Sequence, residues 1–390
     1  MEMAKLRAWW AHRQGLDGSL AGLDSGAVLA RTGWARSVGG SNPYLTLFAR
    51  GGLTRETVDR DVAEVRICEL PSARGCTYVL PAEDFGLGLA AAKPYVVNGD
   101  MATGAKLGVT PDEIERLCDG IAAVLGGVPL DPKEIKTAVG SLVRDLGPEG
   151  VKRGLATTFP LAMRLLQWSG RARRVAVNGR LDTQRYGYVR WSPAPSYDGR
   201  SPMTDLARRY FQWIGPASVA HFRWFSGLGV AAAKDALAPL NLVDVGCGLL
   251  LLEEDREAFD RYVRPSEPSF ALVSSLDGIL LLRRDLSALV EVEDEGQPMI
   301  GEKGLQTIGG IQELANNPIL DRGRVVGIWE FDPSSGTIVW HSWVDGGGAL
   351  SVAIEHMETF IRNELGDARS FSLDSPSSRR PVIEAIRTLR

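Results

Sequence analysis

The sequence predicts an α+β fold, with tandem winged-helix (helix-turn-helix) domains followed by a small C-terminal β-barrel or open sheet. Two stretches, residues 108–192 and 201–252, each show three helical patterns followed by two short strand-like runs. The region from 270 to 343 is mostly strand-like and is interrupted by turn residues. Because two similar units favour a third at the N-terminus, we expect four domains, at residues 1–100, 105–195, 200–265 and 266–390.

The composition is that of a soluble globular protein, with 44% hydrophobic and 24% charged residues. No apolar run reaches the roughly 18 residues that a membrane helix needs, so we expect no membrane binding. The charged and aromatic N-terminus, Met1–Trp10, lacks the apolar core of a signal peptide, so we expect a cytoplasmic protein. We also expect a monomer. The four cysteines and four histidines lie far apart, which predicts free thiols, no metal and no cofactor. The net charge of −4 argues against non-specific coating of nucleic acid but leaves room for a local basic groove.

The N-terminal segment contains two stretches of unusual composition. Gly33–Arg50 and Arg74–Asp84 place small, polar and aromatic residues where an apolar face is expected. Amphipathic helices are predicted before and between these stretches, and Tyr78–Leu80 is predicted as a short strand. Any chemical site of the protein is therefore expected in these two stretches.

The second segment has the clearest local signals. Thr110–Glu113 and Asp131–Glu134 are helix starts with a capping residue and a proline at the first helical position. A third helix precedes Trp168, and Asn178-Gly179 between two strand-like runs indicates a β-hairpin. Six arginines lie in and around this hairpin: Arg171, Arg173, Arg174, Arg180, Arg185 and Arg190. Two interpretations are open, a solvated charged hairpin and a hairpin that contacts phosphates.

The third segment repeats the order of the second. Ser201-Pro202 begins a helix, two further helices follow, and two strand-like runs flank Gly246-Cys247-Gly248. These glycines imitate the cofactor loop of S-adenosylmethionine methyltransferases, but that loop joins a strand to a helix, whereas here another strand-like run follows. A hairpin turn is the favoured interpretation. In the last segment, strands are predicted at Ile279–Leu282, Val325–Phe331 and Thr337–Trp340, a helix at 350–365, and a surface turn at 375–381.

Several blocks together resemble one known family. Arg208–Ser218 with Phe222–Leu228 looks like the signature of the winged-helix family that includes the AlkZ and YcaQ DNA glycosylases. Arg74–Asp84 is similar to that family's Arg-Gly-Thr-x-His block, and Ser274–Asp285 and Gly323–Trp329 resemble blocks of its C-terminal sheet. The resemblance implies tandem winged-helix domains and a β-barrel curved around double-stranded DNA. It also implies cleavage of the N-glycosidic bond of bulky alkylated or crosslinked bases.

The same resemblance implies a Gln-x-Gln or Gln-x-Asp pair that positions water and stabilises an oxocarbenium-like transition state. That pair aligns with Arg36-Ser37-Val38, and neither Gln nor Asp occurs in Gly33–Arg50. An Arg beside a developing cation is electrostatically unfavourable. The candidate site residues are Arg36, Asn42, Tyr44, Arg74 and Tyr78.

Three functions follow from these observations. The first is a DNA glycosylase-like protein that excises bulky bases with a diverged site. The second is a noncatalytic DNA-binding or regulatory protein that uses the Arg-rich hairpin. The third, a methyltransferase, requires the glycine-rich loop to bind S-adenosylmethionine.

Overall fold

The computed structural model describes residues 2–95, 99, 101–183, 185–301 and 304–389. Its first segment combines helices with a three-stranded antiparallel sheet of order β1-β3-β2. The elements are α1 (Met3–Arg13), α2 (Ser25–Thr32), β1 (Ala35–Arg36), α3 (Asn42–Gly51), α4 (Arg55–Ala63), β2 (Ile67–Pro71), β3 (Thr77–Pro81) and α5 (Phe85–Tyr95).

The second segment packs its helices around a core of its own, which includes Leu117, Ile121 and Leu161. Its elements are α6 (Ala102–Lys106), α7 (Pro111–Val124), α8 (Pro132–Val139), α9 (Gly147–Lys152), α10 (Phe159–Trp168), β4 (Ala172–Ala176) and β5 (Tyr186–Arg190). The predicted helix starts are confirmed, since Thr110 caps α7 and Asp131 forms a capping box on α8. The predicted hairpin is also present, but residues 177–185 connect its strands.

The third segment ends in a second short hairpin. Its elements are α11 (Pro202–Ile214), α12 (Val219–Ser226), α13 (Val230–Leu237), β6 (Leu242–Asp244), β7 (Leu250–Leu252) and α14 (Arg256–Arg261). Because β6 pairs antiparallel with β7, Gly246-Cys247-Gly248 forms a hairpin turn and does not lead into a helix. The loop geometry expected of a methyltransferase cofactor site is therefore not found there.

The C-terminal segment contains a four-stranded sheet of order β13-β12-β11-β8 and a separate hairpin of β9 and β10. Its elements are β8 (Phe270–Leu272), α15 (Gly278–Leu281), β9 (Pro298–Gly301), β10 (Gly304–Thr307), β11 (Asn317–Asp321), β12 (Arg324–Asp332), β13 (Thr337–Ser342), α16 (Gly347–Phe360) and α17 (Pro376–Thr388). A π-helical turn, Ile361–Leu365, extends α16.

Two predictions in this segment are wrong. Ile279–Leu282 was expected as a strand, but α15 occupies this position because the Asp277 carboxylate accepts from the Ile279 amide at 3.0 Å and starts a helix. The stretch 375–381 was expected as a turn, but α17 begins at Pro376, where Ser375 forms a capping box with Ser378. Apolar composition does not distinguish a short strand from one turn of helix.

A fully buried ion pair joins the first segment to the last. Arg50 on α3 donates from both terminal nitrogens to the Asp277 carboxylate, each at 2.7 Å, and both side chains are at most 1% exposed. Gln14, next to the end of α1, accepts from Arg50 at 2.8 Å and donates to the Thr32 and Trp213 carbonyl oxygens. Because a buried charge needs a partner, this network holds α1, α3, α11 and α15 in one arrangement.

We predict that Asp277→Ala lowers the free energy of unfolding by about 3–5 kcal/mol, because it leaves the Arg50 charge buried without its partner. Denaturant unfolding measures this loss. The control, Arg256→Ala, removes an exposed i,i+4 ion pair with Asp260, which should cost only about 0.3–0.5 kcal/mol. A loss for Asp277→Ala no larger than that of the control would contradict the role assigned to the buried pair.

Candidate active site

The three-stranded sheet places Arg36 and Tyr78 side by side. β1 pairs with β3 in the register Arg36↔Tyr78, and the Arg36 guanidinium lies 5.4 Å from the centroid of the Tyr78 ring. Arg36 also donates to the Thr77 carbonyl oxygen at 2.8 Å. Burial raises the pKa of the Tyr78 hydroxyl to about 12, so the phenol stays protonated at neutral pH and cannot serve as a base.

Asn42 and Tyr44 are both fully buried at the start of α3. The Asn42 amide donates to the Arg36 carbonyl oxygen at 2.6 Å, which fixes the end of β1 against α3. The Tyr44 hydroxyl donates to Asp59 and accepts from the Leu181 amide at 2.9 Å. Burial, together with the Asp59 hydrogen bond, raises the pKa of Tyr44. Both side chains therefore have structural partners.

Arg74 lies away from Asn42 and Tyr44 and contacts the third segment. Its guanidinium is 3.8 Å from the centroid of the Trp224 ring and donates to the Trp224 carbonyl oxygen at 3.2 Å. Trp224 is followed in the sequence by Phe225, whose ring centroid lies 6.3 Å from that of Tyr78. Arg74 and Tyr78 are therefore connected through α12. The structure thus groups Arg36, Tyr78 and Arg74 along one side of the sheet, whereas Tyr44 belongs to a different core.

Glu69 belongs to the candidate site but was not predicted from the sequence. The Ser37 hydroxyl, in the triplet that aligns with the family's polar pair, donates to the Glu69 carboxylate. Arg174 forms an ion pair with Glu69 at 3.1 Å and stacks 4.4 Å from the centroid of the Tyr186 ring. Burial lowers the pKa of Arg174, but Glu69, Tyr186, Tyr188 and Cys68 together raise it above its usual value. The signal in the sequence was one carboxylate inside the apolar run Ile67–Leu70.

The sheet separates these two groups of residues. Tyr78 points into the core that contains Trp34 and Phe225, whereas Val79 points into the core that contains Tyr44. Since side chains alternate along a strand, Glu69, which pairs with Val79, lies on the face opposite Tyr78. The five predicted residues therefore do not converge on one cleft.

The loop from Ser37 to Ser41 is covered by a C-terminal strap, residues 367–372. The Ser41 amide donates to the Arg369 carbonyl oxygen at 2.8 Å, and its hydroxyl donates to the Asp367 carbonyl oxygen at 3.1 Å. The Ser372 amide donates to the Val38 carbonyl oxygen at 3.4 Å. The strap therefore fixes the backbone on both sides of Gly39-Gly40.

Arg180 and Arg369 hold the hairpin of the second segment beside this strap. It forms a bidentate ion pair with Asp182 and donates to the Leu365 carbonyl oxygen at 3.2 Å. Arg369 of the strap donates to the Asp182 carbonyl oxygen at 2.7 Å. These contacts bring the loop of the β4–β5 hairpin against the C-terminal segment.

The remaining hairpin arginines differ in exposure. Arg185 is exposed in the connection between the strands, and Arg173 is half-buried on β4. Arg171 pairs with Asp119 at 2.7 Å, and Arg190 donates to the Ala122 carbonyl oxygen at 3.1 Å.

Among the described residues, no group of three or more His, Cys, Asp or Glu side chains is placed to hold a metal ion. None of the helices described is long and apolar enough to cross a membrane.

We predict that Gly40→Ala lowers the free energy of unfolding by about 1–3 kcal/mol, because its Cβ would lie 2.1 Å from the Ser370 carbonyl oxygen. It should also speed hydrogen exchange at the Ser41 amide, which the strap protects. In the control, Gly348→Ala on α16, the new Cβ has no heavy atom within 4 Å, and we expect a stabilisation of up to about 1 kcal/mol. Unchanged exchange at Ser41 would contradict the strap's role.

Comparison with known proteins gives a consistent result. The family model for AlkZ-like DNA glycosylases matches residues 25–357. The chain is 25% identical over 287 residues to an interstrand DNA cross-link repair glycosylase of Streptomyces sahachiroi, covering 71% of this chain and 73% of that protein. The solved structure of S. sahachiroi DNA glycosylase AlkZ is similar in fold, with a TM-score of 0.69 and 19% identity over 95% of this chain and 98% of that one. Since the family model spans most of its length, this chain belongs to the AlkZ-like DNA glycosylase family.

Proposed function

We propose that this protein is a DNA glycosylase that excises bulky alkylated or crosslinked bases from double-stranded DNA, with Glu69 as the carboxylate of its diverged site. The observation that carries the proposal is the contact of Ser37 with Glu69. It places a carboxylate next to the triplet where the sequence lacks the family's polar pair. The relative that repairs interstrand cross-links supports the substrate class.

The proposed reaction needs a positioned negative charge and a water molecule at the site. When the C1′–N bond breaks, its electron pair moves to the cationic alkylated base, which leaves as a neutral molecule. A carboxylate stabilises the resulting oxocarbenium ion electrostatically. Water then adds to C1′ and transfers a proton to that carboxylate. Glu69 is assigned both roles, and Ser37 positions its carboxylate.

Tandem winged-helix domains are the proposed frame for binding the duplex. The first segment supports this with the order helix, strand, two helices and two strands from α2 to β3. In the second and third segments, single bridges at Leu130 and Ala217 stand in the position of the first strand. We propose the domains at residues 1–100, 105–195, 200–265 and 266–390, with phosphate contacts from the Arg-rich hairpin of the second.

A noncatalytic DNA-binding protein is the second candidate, and one observation favours it. Ser37 and Glu69 are only 2% and 6% exposed, and the strap covers the loop that carries Ser37. A site with this arrangement needs the strap to move before water and a sugar reach Glu69. The same assay distinguishes the two candidates.

We predict that Glu69→Gln lowers the single-turnover rate of base release from a duplex containing N7-methylguanine at least about 100-fold. Its affinity for the same duplex should stay within about threefold of that of the wild type. Strand cleavage by alkali after incubation measures release. The matched control is Glu330→Gln, which also alters a buried carboxylate paired with an arginine, Arg379, and it should retain the wild-type rate.

Two results would redirect the proposal. Base release that is equal in the wild type and Glu69→Gln would remove Glu69 from the reaction. If the wild type releases neither methylated nor crosslinked bases yet binds the duplex with a steep salt dependence, the noncatalytic function would hold.

We predict that Arg185→Ala reduces the slope of log affinity against log salt concentration by about 0.9, the value for one lost phosphate contact. Fluorescence anisotropy with an unmodified duplex, repeated at several salt concentrations, gives the slope. Arg261→Ala is the control, because the Arg261 side chain is 78% exposed on α14 and pairs with Glu257 of the same helix. A slope that falls equally in both variants would argue against a specific role for the hairpin.

A further inference from the structure

Glu69, the carboxylate assigned to the reaction, is covered by two elements from different segments. The stem of the β4–β5 hairpin contributes Arg174, which pairs with Glu69 at 3.1 Å. The strap, residues 367–372, holds the loop whose Ser37 hydroxyl donates to Glu69. The access of a sugar to Glu69 therefore depends on the hairpin and the strap.

These two elements lie on one face of the three-stranded sheet. Val79 pairs with Glu69 across the sheet, so the two side chains lie on the same face. Leu181 of the hairpin loop and Ala368 of the strap are buried in the same core as Val79. The hairpin and the strap thus meet on the side of the sheet that carries Glu69.

Little apolar packing holds the strap in place. The chain forms neither helix nor strand between Gly366 and Ser375, which caps α17. Within residues 367–372, all of which the structure describes, Ala368 is the only buried side chain. Segments with little buried apolar surface open locally at the lowest free energy. The strap can therefore open without unfolding of the helices on either side of it.

Two arginines join the hairpin to the strap at Asp182. Arg180 forms its bidentate ion pair with the Asp182 carboxylate and also donates to the Leu365 carbonyl oxygen, just before the strap. Arg369 of the strap donates to the Asp182 carbonyl oxygen at 2.7 Å. These contacts of Arg180 and Arg369 form a latch between the hairpin and the strap.

The latch carries more positive than negative charge. Asp182 is paired with Arg180, whereas no carboxylate among the described residues forms an ion pair with Arg369. The other carboxylates nearby accept from donors of their own: Asp59 from Arg55, Glu364 from the Arg55 amide, Asp367 from Arg379, and Asp374 from the Phe371 amide. The latch therefore favours an anionic partner.

A phosphodiester can take the place of Asp182 in the latch. Guanidinium groups bind phosphate and carboxylate oxygens through the same pair of parallel hydrogen bonds, so Arg180 cannot hold both at once. The Arg180 side chain is 23% exposed, and Arg185 in the same connection is exposed. A duplex bound along the hairpin therefore presents phosphates beside the latch.

We propose that the latch binds the phosphate backbone of double-stranded DNA and that this binding opens the cover over Glu69. Arg180 transfers its hydrogen bonds from Asp182 and Leu365 to a phosphate, and Arg369 gains a counter-charge. The strap then detaches from the loop that carries Ser37. The proposal rests on the proposed function, because its result is access to Glu69. It adds regulation, since the free protein keeps the carboxylate covered and the duplex-bound protein exposes it.

Hydrogen exchange at the Ser41 and Ser372 amides reports the state of the strap, because both amides donate across the contact between strap and loop. We expect an unmodified duplex, at a concentration where anisotropy shows saturation, to speed exchange at both amides at least about tenfold. Coverage by DNA without opening would slow it. The Leu117 and Ile121 amides, in the core of the second segment, should keep their exchange rates.

Breaking the latch should open the strap without DNA. Asp182→Asn removes the carboxylate that holds Arg180, so it should speed exchange at Ser41 at least about tenfold in the free protein. It should also raise the affinity for the unmodified duplex at least about threefold, since phosphate no longer competes with a carboxylate. The control is Asp260→Asn, which makes the same change in the exposed pair with Arg256 on α14 and should alter neither quantity.

Arg369→Ala tests the strap side of the latch. It should also speed exchange at Ser41 in the free protein, because the strap loses its bond to the hairpin. It should weaken duplex binding at least about threefold, because one cationic contact with phosphate is lost. Two variants that open the strap alike but change the affinity in opposite directions distinguish a phosphate-operated latch from a purely structural one.

Separate outcomes decide the latch and the glycosylase activity. The latch is rejected if saturating duplex leaves exchange at Ser41 unchanged or slows it, or if Asp182→Asn binds the duplex no more tightly than Asp260→Asn. Base release from the N7-methylguanine duplex is measured in parallel. Duplex-induced exchange without base release would keep the latch and reject the glycosylase. Base release without duplex-induced exchange would do the reverse.

Discussion

The buried ion pair between Arg50 and Asp277 is the constraint on which the rest of the structure depends. Its charges come from residues 227 positions apart, so neither the first nor the last segment can satisfy its own buried charge. Removing either partner leaves the other charge buried without its counter-charge, and the remaining side chains cannot offset that free-energy cost. The intact pair is stable, with Gln14 and Thr46 as further neighbours. The first and last segments are therefore held together by electrostatics as well as by apolar packing.

This constraint also determines where the candidate active site lies. Arg50 is on the same helix as Asn42, which holds the end of β1, and Asp277 starts α15. One ion pair therefore positions the loop that carries Ser37 relative to α15. A site built between segments in this way depends on interactions that are distant in sequence.

Local signals predicted the helices well, because a capping residue and a first-turn proline act within four residues. The starts of α7 and α8 are examples. Ile279–Leu282 was mispredicted because its apolar composition does not distinguish a strand from a turn of helix, although Asp277 caps a helix two residues earlier. Within the candidate site, the sequence indicated the loop that carries Ser37 through its missing polar pair. The sequence did not indicate Glu69. An apolar strand with one carboxylate does not show that this carboxylate contacts Ser37 and Arg174, which lies 105 positions later.

The strap has a consequence for how the protein is made. The hydrogen bond between Ser41 and Asp367 spans 326 positions, so during synthesis the loop that carries Ser37 is without its cover until the strap has also been translated. Domains generally fold as they emerge, from the N-terminus onward, and the core of the second segment can form in that interval. The candidate site consequently reaches its final form only after the strap has been made, although its central residues are translated much earlier.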